Sequence, residues 1–367
     1  MLWRTKPLSI ALITLLTLLA SSAHAETNVQ EWKDGPKSKI SARDFIPSPS
    51  TEEAYTERYT FSVDLDGGGW IGTYLTISNL GVGDNHAAAR VRIQLPDRDK
   101  EFQYFERVGK EAWKSSKTTL DLEVAAVRLA TKGEKGFIIE LDDPSSEVKM
   151  ELEFKNDLAR WKPGNGRIDV EDGYLSYGML APRASVKGRV FIDGKWREVK
   201  STRRAFGDHA ATNVAPYAFA DRFSRFRVFD DDLTIAWREV KLGEKYGGRS
   251  VTWILVGYKN KIVFSDAAAT MRTGRVSKDG QTGYNIPYAV QIDGKDGKDQ
   301  IKLVLRGARM KRTDLLESYG AFARVVAGAV SKPYRYDFPC EYTIQMSIGG
   351  ATATVKGKGS YSFDLLN

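Results

Sequence analysis

Short runs of β-branched and aromatic residues, separated by turn residues, fill this chain from Tyr55 to its end. This texture is typical of antiparallel strands joined by tight turns. One hairpin is predicted from strands 59–63 and 70–78 around the turn 64–69. A second joins 186–192 to 195–200 through Asp193-Gly194, a favoured two-residue turn. Further strands are predicted at 225–228, 233–241, 251–259, 261–264, 289–292, 301–308, 341–348 and 351–356.

So many regular strands indicate an all-β sandwich or barrel, and they are too many for one small barrel. The 367 residues suffice for two β-units of about 150 residues each. The strand rhythm restarts after Ser201, which we take as the seam. The predicted organisation is a leader at 1–25, a polar N-terminal arm at 26–50, a first unit at 51–200 and a second at 201–367.

One segment departs from the strand pattern. Thr313 is a predicted helix N-cap, Leu315 to Val326 carries apolar residues at helical spacing, and Lys332-Pro333 ends the segment. Two interpretations stay open. The helix packs against the outside of the second sheet, or it is an amphipathic lid at a barrel mouth or a membrane contact.

The first 25 residues have the composition of a secretory signal peptide. Arg4 and Lys6 precede an apolar run at 8–20, and Ala23-His24-Ala25 gives a small-x-small cleavage site. The run is shorter than the roughly 20 apolar residues that a membrane span needs. We therefore expect cleavage after Ala25 and a periplasmic protein, which works where ATP and reduced nicotinamide cofactors are absent.

Composition and charge narrow the remaining classes. The chain is 42% hydrophobic and carries a formal net charge of +8, which favours transient contact with anionic membrane surfaces. No nucleic-acid-binding motif is present, so no nucleic-acid partner is expected. Cys340 is the single cysteine, which excludes an internal disulfide, and we interpret it as a small buried hydrophobe.

Three stretches carry a resemblance to a known family. They are 154–188, with Trp161-Lys162-Pro163-Gly164-Asn165-Gly166 and the run 182–188; then Phe206-Gly207-Asp208-His209; and finally 357–363. Together they resemble the tandem lipocalin-like superfamily. Its members include fungal survival-factor proteins that move ceramide, hydroxyneurosporene synthases and some fungal Diels–Alderases. The resemblance implies two consecutive lipocalin-like antiparallel β-barrel units with one or a few short helices.

Asp208 and His209 form the best reactive pair, since an imidazole beside a carboxylate can transfer protons near neutral pH. The resemblance places an Asp-His or His-His pair at this point. Adjacent strand residues point to opposite faces, so the alternative is that His209 satisfies a buried polar network. No metal-ligand spacing and no cofactor motif is present, so we expect neither. Asp230-Asp231-Asp232 is interpreted as a solvated turn.

Aromatic side chains crowd one region of the second unit, where they either line a ligand cavity or fill a core. The candidate ligand-binding residues are Tyr217, Phe219, Phe223, Phe226, Trp237 and Trp253, with Phe322 on the predicted helix. The leading hypothesis is an exported carrier of a hydrophobic molecule, with ceramide or another sphingolipid implied by the resemblance. The alternatives are an enzyme acting on a terpenoid or polyketide, with Asp208 and His209 as acid and base, and a ligand-free structural envelope protein.

Overall fold

A computed structural model describes residues 28–36, 40–80, 84–317 and 331–366. Its strands form two antiparallel sheets of 12 and 10 strands. In both sheets the first strand of the unit pairs with its last strand, so each unit curls towards a closed barrel. This confirms the predicted all-β class with two consecutive lipocalin-like units.

The first sheet has the order β4-β3-β2-β1-β12-β11-β9-β8-β7-β6-β5, with β10 paired to β11. Strands β3 and β6, which lie near opposite ends of this order, also contact each other. The contact brings the two ends of the sheet together. Its strands are β1 Thr56–Asp64, β2 Trp70–Ser78, β3 His86–Gln94, β4 Phe102–Val108, β5 Trp113–Ser115, β6 Asp121–Val124, β7 Val127–Lys132, β8 Gly136–Asp143, β9 Val148–Asn156, β10 Arg167–Val170, β11 Gly173–Ile192 and β12 Lys195–Thr212.

The second sheet repeats this layout in the order β16-β15-β14-β13-β22-β21-β19-β18-β17, with β20 paired to β21. Its strands are β13 Ala220–Asp230, β14 Leu233–Leu242, β15 Ser250–Tyr258, β16 Lys261–Asp266, β17 Thr270–Lys278, β18 Asn285–Asp296, β19 Asp299–Gly307, β20 Lys311–Asp314, β21 Tyr334–Ile348 and β22 Ala351–Leu365.

The helices of the described residues are short. The α-helix α1 spans Pro216–Phe219, and single 3₁₀ turns lie at Ala42–Phe45, Lys110–Ala112 and Glu244–Tyr246. The predicted helix start differs, because Thr313 lies in β20 opposite Arg335. The rest of that prediction falls mostly outside the described residues, which omit 318–330. No helix within the described ranges has the length and hydropathy to cross a membrane.

The boundary between the units lies later than the predicted seam. Ser201 is a fully buried residue in the middle of β12, a strand that continues to Thr212. The second sheet begins at Ala220, after α1. The Asp193-Gly194 turn is therefore followed by one long strand, β12, which pairs with β1 and completes the first barrel. The change in sequence pattern after this hairpin does not mark the start of a new unit.

Each barrel is filled by alternate residues of its strands. On β1 the side chains of Tyr59, Phe61 and Val63 lie in the first core. The second core is built in the same way and includes Cys340, whose predicted burial the structure reproduces. The alternate positions face outward, and on β1 and β13 this outer face turns towards the other unit, as the contacts below show.

The Trp161 to Gly166 loop has the backbone that its sequence indicates. Gly164 and Gly166 adopt positive φ angles of 51° and 81°, a region that glycine enters without strain. A Cβ on Gly164 would collide with the backbone carbonyl of Trp32. The loop is therefore built around a close backbone approach to the N-terminal segment, which fits an architectural role.

Candidate functional site

Asp208 and His209 lie on opposite faces of β12 and do not meet. His209 is paired in register with Tyr59 on β1, and Asp208 with Thr60. His209 therefore faces the first barrel, whereas Asp208 faces the second unit. The sequence-based pairing of these two residues as acid and base does not correspond to a shared site in the structure.

His209 belongs to a closed network around Glu57 of β1. Its Nε2 lies 2.7 Å from Glu57 Oε1, and its Nδ1 lies 3.1 Å from the carbonyl oxygen of Asp44 in the N-terminal arm. The imidazole also stacks on the ring of Tyr59, with 4.5 Å between ring centroids. Glu57 has no exposed surface.

The Glu57 carboxylate is saturated with donors. Oε1 also accepts from the Tyr59 hydroxyl at 2.8 Å, and Oε2 accepts from the Tyr55 hydroxyl at 2.7 Å and the Ser48 amide at 3.1 Å. Burial opposes ionisation, but these hydrogen bonds and His209 outweigh it and lower the pKa of Glu57. The network holds the N-terminal arm against the first barrel. Because it is closed off from solvent, its role is structural.

Asp208 belongs to a different site, a polar cleft between the facing sheets. Its carboxylate accepts a hydrogen bond from the Tyr177 hydroxyl at 3.2 Å and lies 3.9 Å from the Arg238 guanidinium of the second unit. Arg238 also lies over the Tyr177 ring, 4.5 Å from its centroid. We call this region the inter-sheet cleft; its charged members are Arg58, Asp208, Arg225, Arg227, Arg238, Arg335 and Asp364.

The guanidinium groups of Arg58 and Arg225 line a recessed, water-accessible space in this cleft. Both side chains are exposed by surface area. Desolvation is nevertheless the largest influence on each, and it lowers the pKa of Arg58 and of Arg225. The two side chains thus lie in the solvent-accessible part of the cleft. The charges nearest Arg58 include Arg335 and Asp364 of the second unit, so the walls come from both units.

Arg227 bridges the two sides of the cleft. Its guanidinium donates to the Ser62 hydroxyl of β1 at 2.7 Å and lies 4.0 Å from the centroid of the Phe206 ring of β12. Arg335 and Asp364, both in the second unit, form a two-pronged ion pair at 2.6 and 2.9 Å. The cleft therefore combines fixed ion pairs with arginines that have no carboxylate partner within the described ranges.

An apolar cluster forms the closed end of the interface. Trp253 stacks on Tyr177 and meets the edge of Trp161, with centroid distances of 5.5 and 5.1 Å. The Trp253 indole N–H is buried, and no hydrogen-bond partner for it lies among the described residues. Trp32 donates its indole N–H to the Ala267 carbonyl at 3.0 Å, which joins the arm to the second unit.

The predicted ligand-binding aromatics divide between two places. Phe226 and Trp237 lie fully inside the second core. Phe219 and Trp253 lie in the apolar cluster between the units, with Phe223 packed against it. Tyr217 is exposed on α1, and Phe322 lies outside the described residues. Some of the predicted aromatic residues thus lie next to polar groups, and they do so at the interface between the units and not inside the barrel.

Sequence reasoning missed Glu57 and the cleft arginines. Glu57 shares its strand face with Tyr59 and Phe61, and a carboxylate in an inward-facing row requires buried partners. Arg225 and Arg227 lie two residues apart, so they share the outward face of one strand. The alternation of inward and outward positions therefore indicated both the buried carboxylate and the arginine-bearing face. It did not show which strand faces lie against each other in the fold.

The acidic turn Asp230-Asp231-Asp232 is docked onto the first unit. The fully buried guanidinium of Arg183 on β11 donates to the carbonyls of Asp231 and Asp232 and to the Thr234 hydroxyl. The expected solvated turn is therefore an anchor between the units. Among the described residues, no group of three or more His, Cys, Asp or Glu side chains is arranged to hold a metal ion.

Solved structures with this architecture include two proteins of low sequence identity. CghA, crystallised with Sch210972, matches with a TM-score of 0.61 and 11% identity, over 93% of this chain and 99% of that one. Kievitone hydratase from Nectria haematococca matches with a TM-score of 0.50 and 11% identity, over 90% and 97%. At these identities the similarity concerns the fold alone.

Sequence comparison gives the family. The ceramide-binding protein SVF1 of Yarrowia lipolytica is 25% identical over 236 residues, which are 58% of this chain and 59% of that protein. The aligned part is thus less than two thirds of that relative's length. The profile of the Svf1 family matches residues 21–362. With both barrels and the segment that joins them inside this match, the chain belongs to the Svf1 family.

Proposed function

We propose that this protein binds a lipid of the ceramide class in the inter-sheet cleft and carries it through an aqueous compartment. The observation that carries the proposal is the cleft itself, where Arg58 and Arg225 are solvent-accessible between walls from two barrels. The barrel cores are filled with packed side chains. The ceramide-binding relative supports the lipid class.

The chemistry of the cleft suits an amphiphile. Arg58 and Arg227 supply hydrogen-bond donors, and the partly buried rings of Phe223 and Phe229 supply apolar surface. Binding pockets for lipid-like molecules commonly combine extensive apolar lining with a few fixed polar groups. A carrier needs no activated nucleophile, and the acid–base candidates Asp208 and His209 are held apart on opposite faces.

The test is binding by the purified, delipidated chain. Fluorescent ceramide should bind saturably, close to one molecule per chain, and native mass spectrometry should recover it chemically unchanged. A protein that binds no ceramide would remove the proposal and favour a structural role. Recovery of a chemically altered ligand would favour the enzyme alternative instead.

We also propose export to the periplasm, with transient contact with a membrane surface. The support is the n-region, apolar run and small-x-small site of residues 1–25, together with the net charge, which is +8 for the whole chain and 8 − 2 = +6 without Arg4 and Lys6. N-terminal sequencing of the protein from its native host should begin at Glu26. A chain that retains Met1 in a cytoplasmic fraction would refute export without affecting lipid binding.

A further inference from the structure

We infer that the cleft recognises an anionic headgroup, a phosphate monoester on the lipid, through Arg58, Arg225 and Arg227. The inference rests on the proposed function and specifies its ligand further. It follows from how the cleft's charges are paired.

The cleft arginines fall into two classes. Arg335 is neutralised by its two-pronged ion pair with Asp364, and Arg238 lies beside Asp208. The others are not neutralised. Arg225 donates to the Ser362 hydroxyl at 2.9 Å and Arg227 to the Ser62 hydroxyl at 2.7 Å. Within the described residues, Arg58 has neither a hydrogen bond nor an ion pair, and no carboxylate lies within ion-pair distance of any of these three.

The nearby carboxylates are already engaged. Both oxygens of Asp364 accept from Arg335, and Asp208 accepts from Tyr177. Burial raises the pKa of Asp337, the further acid next to Arg335, which weakens it as a counterion. Among the described residues, Arg58 on β1 and Arg225 and Arg227 on the facing strand β13 therefore have no carboxylate of their own.

A phosphate monoester fits this arrangement better than a neutral headgroup. Partly desolvated cations are costly unless an anion pairs with them. Guanidinium forks match phosphate oxygens, and such charge-assisted hydrogen bonds are about twice as strong as neutral ones. The hydroxyl and amide groups of ceramide accept hydrogen bonds but leave the charges unbalanced.

The same site offers a path for the lipid chain. Arg227 lies near the rings of Phe206 and Phe229, at 4.0 and 5.6 Å from their centroids, and the partly buried Phe223 adds further apolar surface. An amphiphile whose phosphate contacts the arginines would therefore place its hydrocarbon against aromatic side chains. Free phosphate would use only the polar part.

The experiment compares two probes that differ only in the phosphate. Delipidated full-length protein is titrated with fluorescent ceramide 1-phosphate and with fluorescent ceramide of the same acyl chain. We expect the phosphorylated probe to bind at least about tenfold more tightly, the equivalent of one charge-assisted hydrogen bond. Arg58→Gln and Arg225→Gln should each lower the affinity for ceramide 1-phosphate far more than the affinity for ceramide, and so remove most of this preference.

The control is Arg189→Gln, because Arg189 is a surface residue paired with Glu151 outside the cleft. It should change neither affinity. Arg58→Lys keeps the charge and should retain part of the preference, and equal melting temperatures exclude misfolding as the cause of a loss. Ten-fold excess inorganic phosphate should compete weakly, whereas complete displacement would show that free phosphate is the ligand.

Two results would overturn the inference. Equal affinities for both probes would refute phosphate recognition while leaving the proposed lipid binding intact. An unchanged preference in both Arg58→Gln and Arg225→Gln would show that the phosphate binds elsewhere. Failure of both lipids to bind would instead refute the proposed function on which the inference rests.

Discussion

Replacement of Glu57 tests how the N-terminal arm is held to the first barrel. Glu57→Met keeps the length of the side chain and removes both acceptor oxygens. The Tyr55 and Tyr59 hydroxyls keep a second acceptor each, the carbonyls of Ser48 and Phe45 at 2.8 and 3.0 Å. The His209 Nε2 and the Ser48 amide, which both point at the buried Glu57 carboxylate, lose their partner, so the substitution leaves two polar groups of the network unsatisfied.

The magnitude follows from that count. Each polar group left unsatisfied away from water costs about 1–3 kcal/mol, so Glu57→Met should destabilise the fold by about 2–6 kcal/mol. Glu57→Gln should cost less. Its NH₂ can donate to the Tyr55 oxygen, whose hydroxyl then donates to the Ser48 carbonyl, which leaves only the Ser48 amide unpaired, at about 1–3 kcal/mol.

The assay is urea unfolding with a matched control. Glu151→Gln breaks an exposed pair with Arg189 and should cost less than about 1 kcal/mol. The expected order of unfolding midpoints is wild type, then Glu151→Gln, Glu57→Gln and Glu57→Met, with equal urea dependence. The arm at 41–48 should also be cleaved faster by protease in Glu57→Met. If Glu57→Met is as stable as Glu151→Gln, the reasoning about the network is refuted.

The same residue predicts a pH dependence. The pKa of Glu57 is lowered from its ordinary value of 4.5 in the folded state. Its contribution is therefore fully present above pH 4.5 and is lost as pH falls through the lower folded value. The stability difference between wild type and Glu57→Met should shrink steadily below about pH 4.5. A difference that stays constant or grows down to pH 3 would contradict the assigned direction of the shift.

Three further predictions concern other parts of the chain. Arg183→Met should destabilise the protein by about 1–3 kcal/mol, measured by urea unfolding, because the Asp231 carbonyl and the buried Thr234 hydroxyl lose this donor, whereas the Asp232 carbonyl keeps the Lys259 amide; a loss below about 0.5 kcal/mol would contradict this. Gly164→Ala should lower the melting temperature, since its Cβ meets the Trp32 carbonyl at a positive φ; an unchanged melting temperature would show that the loop tolerates the contact. Cys340 should react with a thiol reagent at pH 8 only after unfolding, because burial raises its pKa to about 11; rapid labelling of the native protein would disprove its burial.

The fold was largely predictable because alternation is a local property. The strands around Asp193-Gly194 and the inward row of Tyr59, Phe61 and Val63 follow from period-two patterning and turn chemistry. The seam at Ser201 was misplaced because β12 spans it without a break in texture. The sheet to which a strand belongs depends on the strand with which it pairs. The residues next to it in the sequence do not determine that partner.

The candidate site was harder to predict because its residues come from strands distant in sequence. His209 meets Glu57 across 152 positions of the chain, and Arg227 meets Ser62 across 165. The alternation showed that Asp208 and His209 face opposite ways, but not that one face is a barrel core and the other a cleft. That distinction arises only when the outer faces of β1 and β13 are brought together.

Photo-crosslinking tests the central claim most directly, that the lipid binds between the two sheets. A ceramide probe with a photoreactive group is bound to the purified protein, irradiated, and mapped by peptide mass spectrometry, with excess unlabelled ceramide as competitor. The account predicts competitor-sensitive labelling on cleft-facing residues of β1, β12 and β13, such as Thr60, Phe206 and Phe223. Labelling confined to core residues such as Phe61 or Trp237, or labelling that the competitor does not reduce, would contradict it.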